Sequence, residues 1–208
     1  EIRDEVTADM AIKAAMTGHL VLATLHTTDA LGAIPRLIDL GVPSYILEET
    51  LLAVMGQRLV RKLCSRCSVP LAPEHEEYGH TSRWLCGNTG AARAPVGCPA
   101  CDGAGFLGRL AIAEVFLPTA ATRPYIRQAS HATGPSHSEG GAMTLEEAAA
   151  ADGFQDLGAD AAKKVRAGHT TLTEVLRVHT PADLAGCSTL SGDLSSSRAD
   201  GAQQRGAA

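Results

Sequence analysis

DEVTADMAIKAAMTGHLVLATLHTTDALGAIPRLIDLG, residues 4–41, changes its hydrophobic period twice, and that change decides the fold. Asp4 is placed to cap a helix that runs through Val6, Met10, Ile12, Lys13, Ala14 and Met16, with Gly18 as its stop. The apolar run Leu20-Val-Leu-Ala-Thr-Leu25 follows. Bounded by Gly18 and by the polar His26-Thr-Thr-Asp29, it reads as a buried strand. Thr28 or Asp29 then opens a second helix through Leu31, Ile34, Leu37, Ile38 and Leu40, closed by Gly41. Pro35 inside it predicts a kink or a late start. Helix, strand, helix is the grammar of an α/β fold. One strand is not a sheet, so the remaining strands are expected upstream of Glu1.

Outward from this stretch, Pro43 suits the first turn of a third helix, from Ser44 to about Leu63. Ile46, Leu47, Leu51, Leu52, Met55, Leu59 and Leu63 form its apolar stripe. Residues 64–117 are rich in Cys, Pro and Gly and show little periodicity until a strand at Arg109–Phe116. Residues 118–180 turn helical again. Thr144-x-x-Glu147 and Thr171-x-x-Glu174 both fit the capping box, in which side chains and helix amides satisfy one another reciprocally. The polar stretch Ser130–Gly141 reads as a loop, and the Ser/Ala/Gly/Asp-rich chain after Pro181 as a disordered tail. The expected organisation is therefore 1–63, 64–117, 118–180 and 181–208.

Composition narrows the function classes. A formal charge of -5 over 208 residues disfavours nucleic acid, whose binders show a basic excess. No apolar stretch is long enough to span a bilayer. Cysteine use is more telling. Cys64-Ser-Arg-Cys67 and Cys98-Pro-Ala-Cys101 are two C-x-x-C pairs. Two intervening residues let both thiolates of a knuckle reach one ion, and two knuckles close a tetrahedral four-sulfur shell, the preferred structural zinc site. Such a shell has no open position for catalysis. A redox C-x-x-C normally occurs once, beside a βαβ unit. Cys86 and Cys187 read as free thiols. His75 and His80 are substitute ligands only if one of the four cysteines is unused.

Glu1-Ile-Arg-Asp-Glu5 and the two histidines around Leu20–Leu25 say little alone. A strand-end Glu is usually solvated, and a His beside a strand is usually a satisfied polar group. Taken together, however, Glu1–Glu5, Thr17-Gly-His-Leu-Val-Leu-Ala-Thr-Leu-His-Thr-Thr-Asp29, Gln57-Arg-Leu-Val-Arg-Lys-Leu-Cys64, Gly97–Arg109 and Lys164–Val178 resemble the secretion ATPase family. Its members are the hexameric motors of type II secretion and type IV pilus assembly. The resemblance covers about residues 1–180.

That resemblance implies the C-terminal part of a RecA-like P-loop ATPase domain, followed by a four-cysteine zinc subdomain and a small α-helical subdomain. It matches Glu1 to the acidic end of the Walker B segment, where a carboxylate orients the water that attacks the γ-phosphate. His26 and His19 match the histidine box, with His26 at the strand end sensing phosphate or positioning water. Arg3 and Asp4 would support the nucleotide site or couple subunits. The implied cofactors are structural Zn2+ on Cys64, Cys67, Cys98 and Cys101, with ATP and Mg2+ in the full-length protein. The implied partners are five further copies in a homo-hexamer and the platform and anchor proteins of the inner membrane. The implied location is cytoplasmic, peripheral at the inner face of that membrane. The retraction branch of the family lacks the four-cysteine module, so its presence favours a secretion or assembly motor.

The chain contains no G-x-x-x-x-G-K-[ST] pattern. The resemblance places that cradle, an aspartate box and an N-terminal regulatory domain upstream of Glu1, and the 208-residue chain is expected not to hydrolyse ATP alone. The alternative is a non-catalytic zinc-binding module or adaptor that docks to such a machine. Arg58, Arg61, Lys62 and Arg66 form a basic cluster, either a solvated helix end or a contact surface.

Overall fold

The structure, a computed structural model, describes residues 1–129 and 143–179. The expectations for Ser130–Gly141 and for the tail lie outside these residues. The described chain is mixed α/β. Its elements are α1 (Glu5–Met16), α2 (Ala33–Asp39), α3 (Ser44–Thr50), β1 (Val54–Leu63), β2 (Val69–Pro70), α4 (Tyr78–Trp84), β3 (Arg93–Ala94), β4 (Phe106–Phe116), α5 (Arg123–Gln128), α6 (Leu145–Ala151), α7 (Leu157–Arg166) and α8 (Leu172–Leu176). A short 3-10 turn, Pro99–Cys101, precedes β4. β1 pairs with β4, and β2 pairs antiparallel with β3 through Val69↔Ala94 and Pro70↔Arg93. No helix among the described residues is long and apolar enough to cross a membrane.

Two compact units are each assembled from separated stretches. The first is Glu1–Leu59 with Ala111–Asp160, and the second is Val60–Leu110 with the segment that begins at Ala161. In the first unit α1 begins as its cap predicts: the Asp4 carboxylate accepts from Thr7 N at 2.8 Å. Its core gathers Ala8, Leu31, Ile34, Ile38, Val42 and Leu47 with Phe116, Ile126 and Ala149. Phe154 meets Phe116 edge to face at 6.0 Å. The second unit buries Val60, Leu63, Trp84, Leu85, Val165, Leu172 and Val175.

Two expectations are corrected, and the late start expected of the second helix is found. Residues 19–27 form neither a helix nor a ladder. Ile2 N donates to Thr24 O at 2.9 Å, but a strand exists only by its partners, and no described strand pairs with Leu20–Leu25. Leu20 and Leu22 are correspondingly exposed. The second helix starts late, at Ala33, two residues before Pro35, where the missing proline amide needs no intrahelical partner. The third helix ends at Thr50, and Val54–Leu63 is a strand. The spacing of Leu51, Met55, Leu59 and Leu63 imitates a helix, yet burial in β1 alternates from Val54 to Val60, with Met55 and Leu59 outward. The strand at 109–116 is confirmed and begins earlier, at Phe106.

Both capping signatures mark real helix starts. Thr144 and Glu147 close a full reciprocal box at α6. Thr171 accepts from Glu174 N at 3.3 Å, but the Glu174 carboxylate is engaged elsewhere.

Candidate metal centre and a carboxylate-histidine site

Cys64 immediately follows the end of β1. Its amide donates to Gly105 O at 2.9 Å, and its carbonyl accepts from Cys67 N at 3.4 Å and Ser68 N at 3.0 Å, which folds the first knuckle back on itself. The second knuckle turns through the 3-10 element: Cys101 N and Gly103 N both donate to Cys98 O, at 3.1 and 3.0 Å. Gly97 makes the close approach possible. Its φ is +109°, and a Cβ there would lie 2.5 Å from Gly103 O.

These turns bring Cys64, Cys67, Cys98 and Cys101 together, with all four sulfurs within 4.8 Å of one another. Measured Sγ···Sγ separations are 4.0 Å for Cys64–Cys98, 3.8 Å for Cys67–Cys101 and 3.8 Å for Cys98–Cys101. A disulfide would need about 2.05 Å. A tetrahedron built on Zn–S bonds of about 2.3 Å has edges of about 3.8 Å. The donor set therefore fits a tetrahedral thiophilic ion. The shell is complete without solvent, which suits structure and not Lewis-acid catalysis.

Burial pushes the Cys67 thiol up to about 11. Burial also opposes the Cys101 thiolate, but amide donors from Cys98 and Gly105, each 3.3 Å from its sulfur, together with the Cys67 and Cys98 side chains bring that thiol down to about 7. Such amide-to-sulfur bonds stabilise metal-bound thiolates and orient them. His75 and His80 are not part of this cluster among the described residues. Cys86 is disulfide-bonded, which corrects the free-thiol expectation there.

Beside the cysteine cluster the second unit holds two clamps that sequence reasoning missed. Arg93 Nε donates to Ser68 Oγ at 2.9 Å, and its Nη2 donates to Ser68 O. Arg61 forks onto Glu174, Nε to Oε2 at 2.7 Å and Nη2 to Oε1 at 2.5 Å, while its guanidinium lies 4.3 Å from the Phe106 ring centroid. The basic cluster is thus partly spoken for: Arg61 pairs with Glu174, and Arg58 Nη2 donates to Thr28 O at 2.9 Å.

In the first unit three of the predicted site residues converge. Arg3 grips the Glu1 carboxylate with Nε at 2.5 Å and Nη2 at 2.7 Å, and His26 Nε2 lies 2.7 Å from Glu1 Oε1. The Ile2–Thr24 backbone bond holds the two segments side by side. Arg3 above all, with help from His26, holds the Glu1 carboxyl below the usual carboxylate range, so it is ionised at neutral pH. All three side chains are solvent-accessible. Asp4 serves as the α1 cap, bonded to Thr7 N and Oγ1. His19 Nδ1 lies 3.1 Å from Thr17 Oγ1.

Residues 1–177 match the family described as Type II/IV secretion system protein. The chain belongs to this family. Among its relatives, the type II secretion system protein HxcR of Pseudomonas aeruginosa is 41% identical over 178 residues, 86% of this chain and 32% of that one. The type IV pilus assembly ATPase TfpB of Acinetobacter baylyi is 40% identical, with 86% and 29% covered. The type II secretion system ATPase E of Vibrio cholerae is 39% identical, with 86% and 33% covered. The chain spans about a third of the length of these secretion-family relatives.

The largest omission from the sequence reading is Glu114. On β4 it is 3% exposed and uses both carboxylate oxygens, accepting from Ala30 N at 2.5 Å and Leu157 N at 3.0 Å. Its only sequence signal is an acid at an otherwise apolar position, between Ala113 and Val115.

Proposed function

We propose that this chain is the part of a secretion-motor ATPase that carries the hydrolytic carboxylate and a structural zinc lobe. The carrying observation is the meeting of Glu1, Arg3 and His26 in a chain of this family. Phosphoryl transfer to water needs an in-line nucleophile and charge compensation, not a covalent intermediate. An ionised, accessible carboxylate beside an imidazole would activate that nucleophile: Glu1 would take a proton from the water as its oxygen bonds to the γ-phosphorus and the bond to the ADP oxygen breaks, and His26 would orient Glu1 and report on the γ-phosphate. Arg3 fixes the carboxylate rotamer. ATP and Mg2+ supply the phosphoanhydride and its charge neutralisation. Residues 1–63 belong in this reading to the C-terminal half of a RecA-like core, and Zn2+ sits on Cys64, Cys67, Cys98 and Cys101.

In the complete motor, six such subunits would turn over ATP at the cytoplasmic face of the inner membrane. The motion would pass to platform and anchor proteins that add pilin or pseudopilin subunits. The names of the relatives support both a secretion and a pilus-assembly setting. The chain contains no phosphate-binding G-x-x-x-x-G-K-[ST], so alone it should show no magnesium-dependent ATP hydrolysis. Hydrolysis should appear when a segment bearing that loop is joined to it. Turnover by the 208-residue chain alone, or none after the loop segment is supplied, overturns the reading.

A further inference from the structure

We propose that Glu114 is a positioning residue that anchors the segment carrying His26 and so keeps His26 on Glu1. The proposal rests on the reading of Glu1 and His26 as the hydrolytic pair. Glu114 is an odd choice for stability alone. It is buried, it accepts only from backbone amides, and the carboxylates of Asp29 and Asp156 lie close enough to repel it; burial and these neighbours push its carboxyl up. A buried carboxylate without a cation is costly. What glutamate offers is two acceptor oxygens on one side chain, and the site uses both. Ala30 N and Leu157 N lie 127 positions apart in sequence, and each takes one oxygen. Glutamine offers one acceptor oxygen and would leave one of the two amides unmatched.

The backbone is shaped around this carboxylate. Gly56 on β1 faces it, and a Cβ there would lie 2.6 Å from Oε1. The Glu114 bond to Ala30 falls four residues after His26, in a segment pinned at three further points. Ile2 N holds Thr24 O, Arg58 holds Thr28 O, and Asp29 Oδ1 accepts from Gly32 N at 2.7 Å. Only the Ala30 pin is buried and draws on α7, whose first amide is the other partner. The Glu114 carboxylate thus ties the start of α7 and β4 to the segment that carries His26, beside the core packing of Ala30 and Leu31 with Phe116.

The test uses the 208-residue chain and no nucleotide, so failure of the anchor is separable from failure of the hydrolytic reading. Amide exchange is followed at Ala30 and Leu157, and the His26 ring-nitrogen resonance is compared with and without Glu1→Gln. In the wild-type background, Glu1→Gln should shift that resonance. In Glu114→Gln, exchange at Ala30 or Leu157 should rise about tenfold or more, and the Glu1-dependent shift should fall by about half or more. If Glu114→Gln does not fold, Gly56→Ala, which crowds the same carboxylate without changing charge, should produce both effects. Freed amides with an unchanged Glu1-dependent shift overturn the proposal. So does unchanged exchange, or the absence of any Glu1-dependent shift in wild type.

Discussion

Glu174 illustrates how one residue can carry an electrostatic load in the second unit. It is 4% exposed, yet its carboxylate faces the Arg61 fork and, at 3.3 Å, Arg177 Nε. The hydrogen bond from Arg61, more than any other influence, holds the Glu174 carboxyl below the usual range. A carboxylate depressed on folding stabilises the protein above its unfolded pKa, and that contribution is lost as pH falls through the folded value. The urea midpoint of the wild type should therefore drop on acidification below the ordinary glutamate range, and Glu174→Gln should remove that part of the drop. Glu114 acts in the opposite sense, because its raised pKa makes its contribution fade as pH rises. Only the difference between wild type and Glu174→Gln isolates Glu174. At neutral pH Glu174→Gln should cost about 1–3 kcal/mol, nearer the lower figure because Arg61 is partly solvated. Equal midpoints across pH would refute the pairing.

At the level of elements, two glycines make opposite predictions. Gly56→Ala on β1 drives a methyl into the Glu114 carboxylate and should destabilise by about 1–3 kcal/mol. Gly79 in α4 faces open space, so Gly79→Ala should be neutral or stabilise by about 0.5 kcal/mol. Thermal denaturation of the two variants checks both, and the same sign in each would contradict the packing described. Local signals made α1, α6 and the cysteine cluster legible in the sequence. Asp4, Thr144 and the C-x-x-C spacing each act within four residues. Val54–Leu63 was misread because Leu51, Met55, Leu59 and Leu63 fall at helical intervals while two of them face outward from a strand. Leu20–Leu25 reads as a strand because an apolar run carries no record of whether a partner strand is present. Glu114 and the Arg61–Glu174 fork were invisible for a related reason: their partners lie 43 to 113 residues away.

On the scale of the molecule, the two units have different sources of order. The first gathers an apolar core, and the second adds to its buried side chains a proposed zinc site of four sulfurs. One zinc per chain should be found by metal analysis, and Cys98→Ser with Cys101→Ser should abolish it. A strong chelator should raise proteolysis and amide exchange across 64–105 while the Ala8, Ile34 and Leu47 core stays protected. Unchanged protection of 64–105 after metal loss would contradict a structural role.

Glu1 is proposed to activate water for ATP hydrolysis. In a motor that joins this chain to a family segment bearing the phosphate-binding loop, magnesium-dependent turnover and nucleotide affinity are measured for Glu1→Gln. The kcat should fall by about 100-fold or more with ATP binding retained, as expected when a general base is removed. Turnover equal to wild type would contradict it.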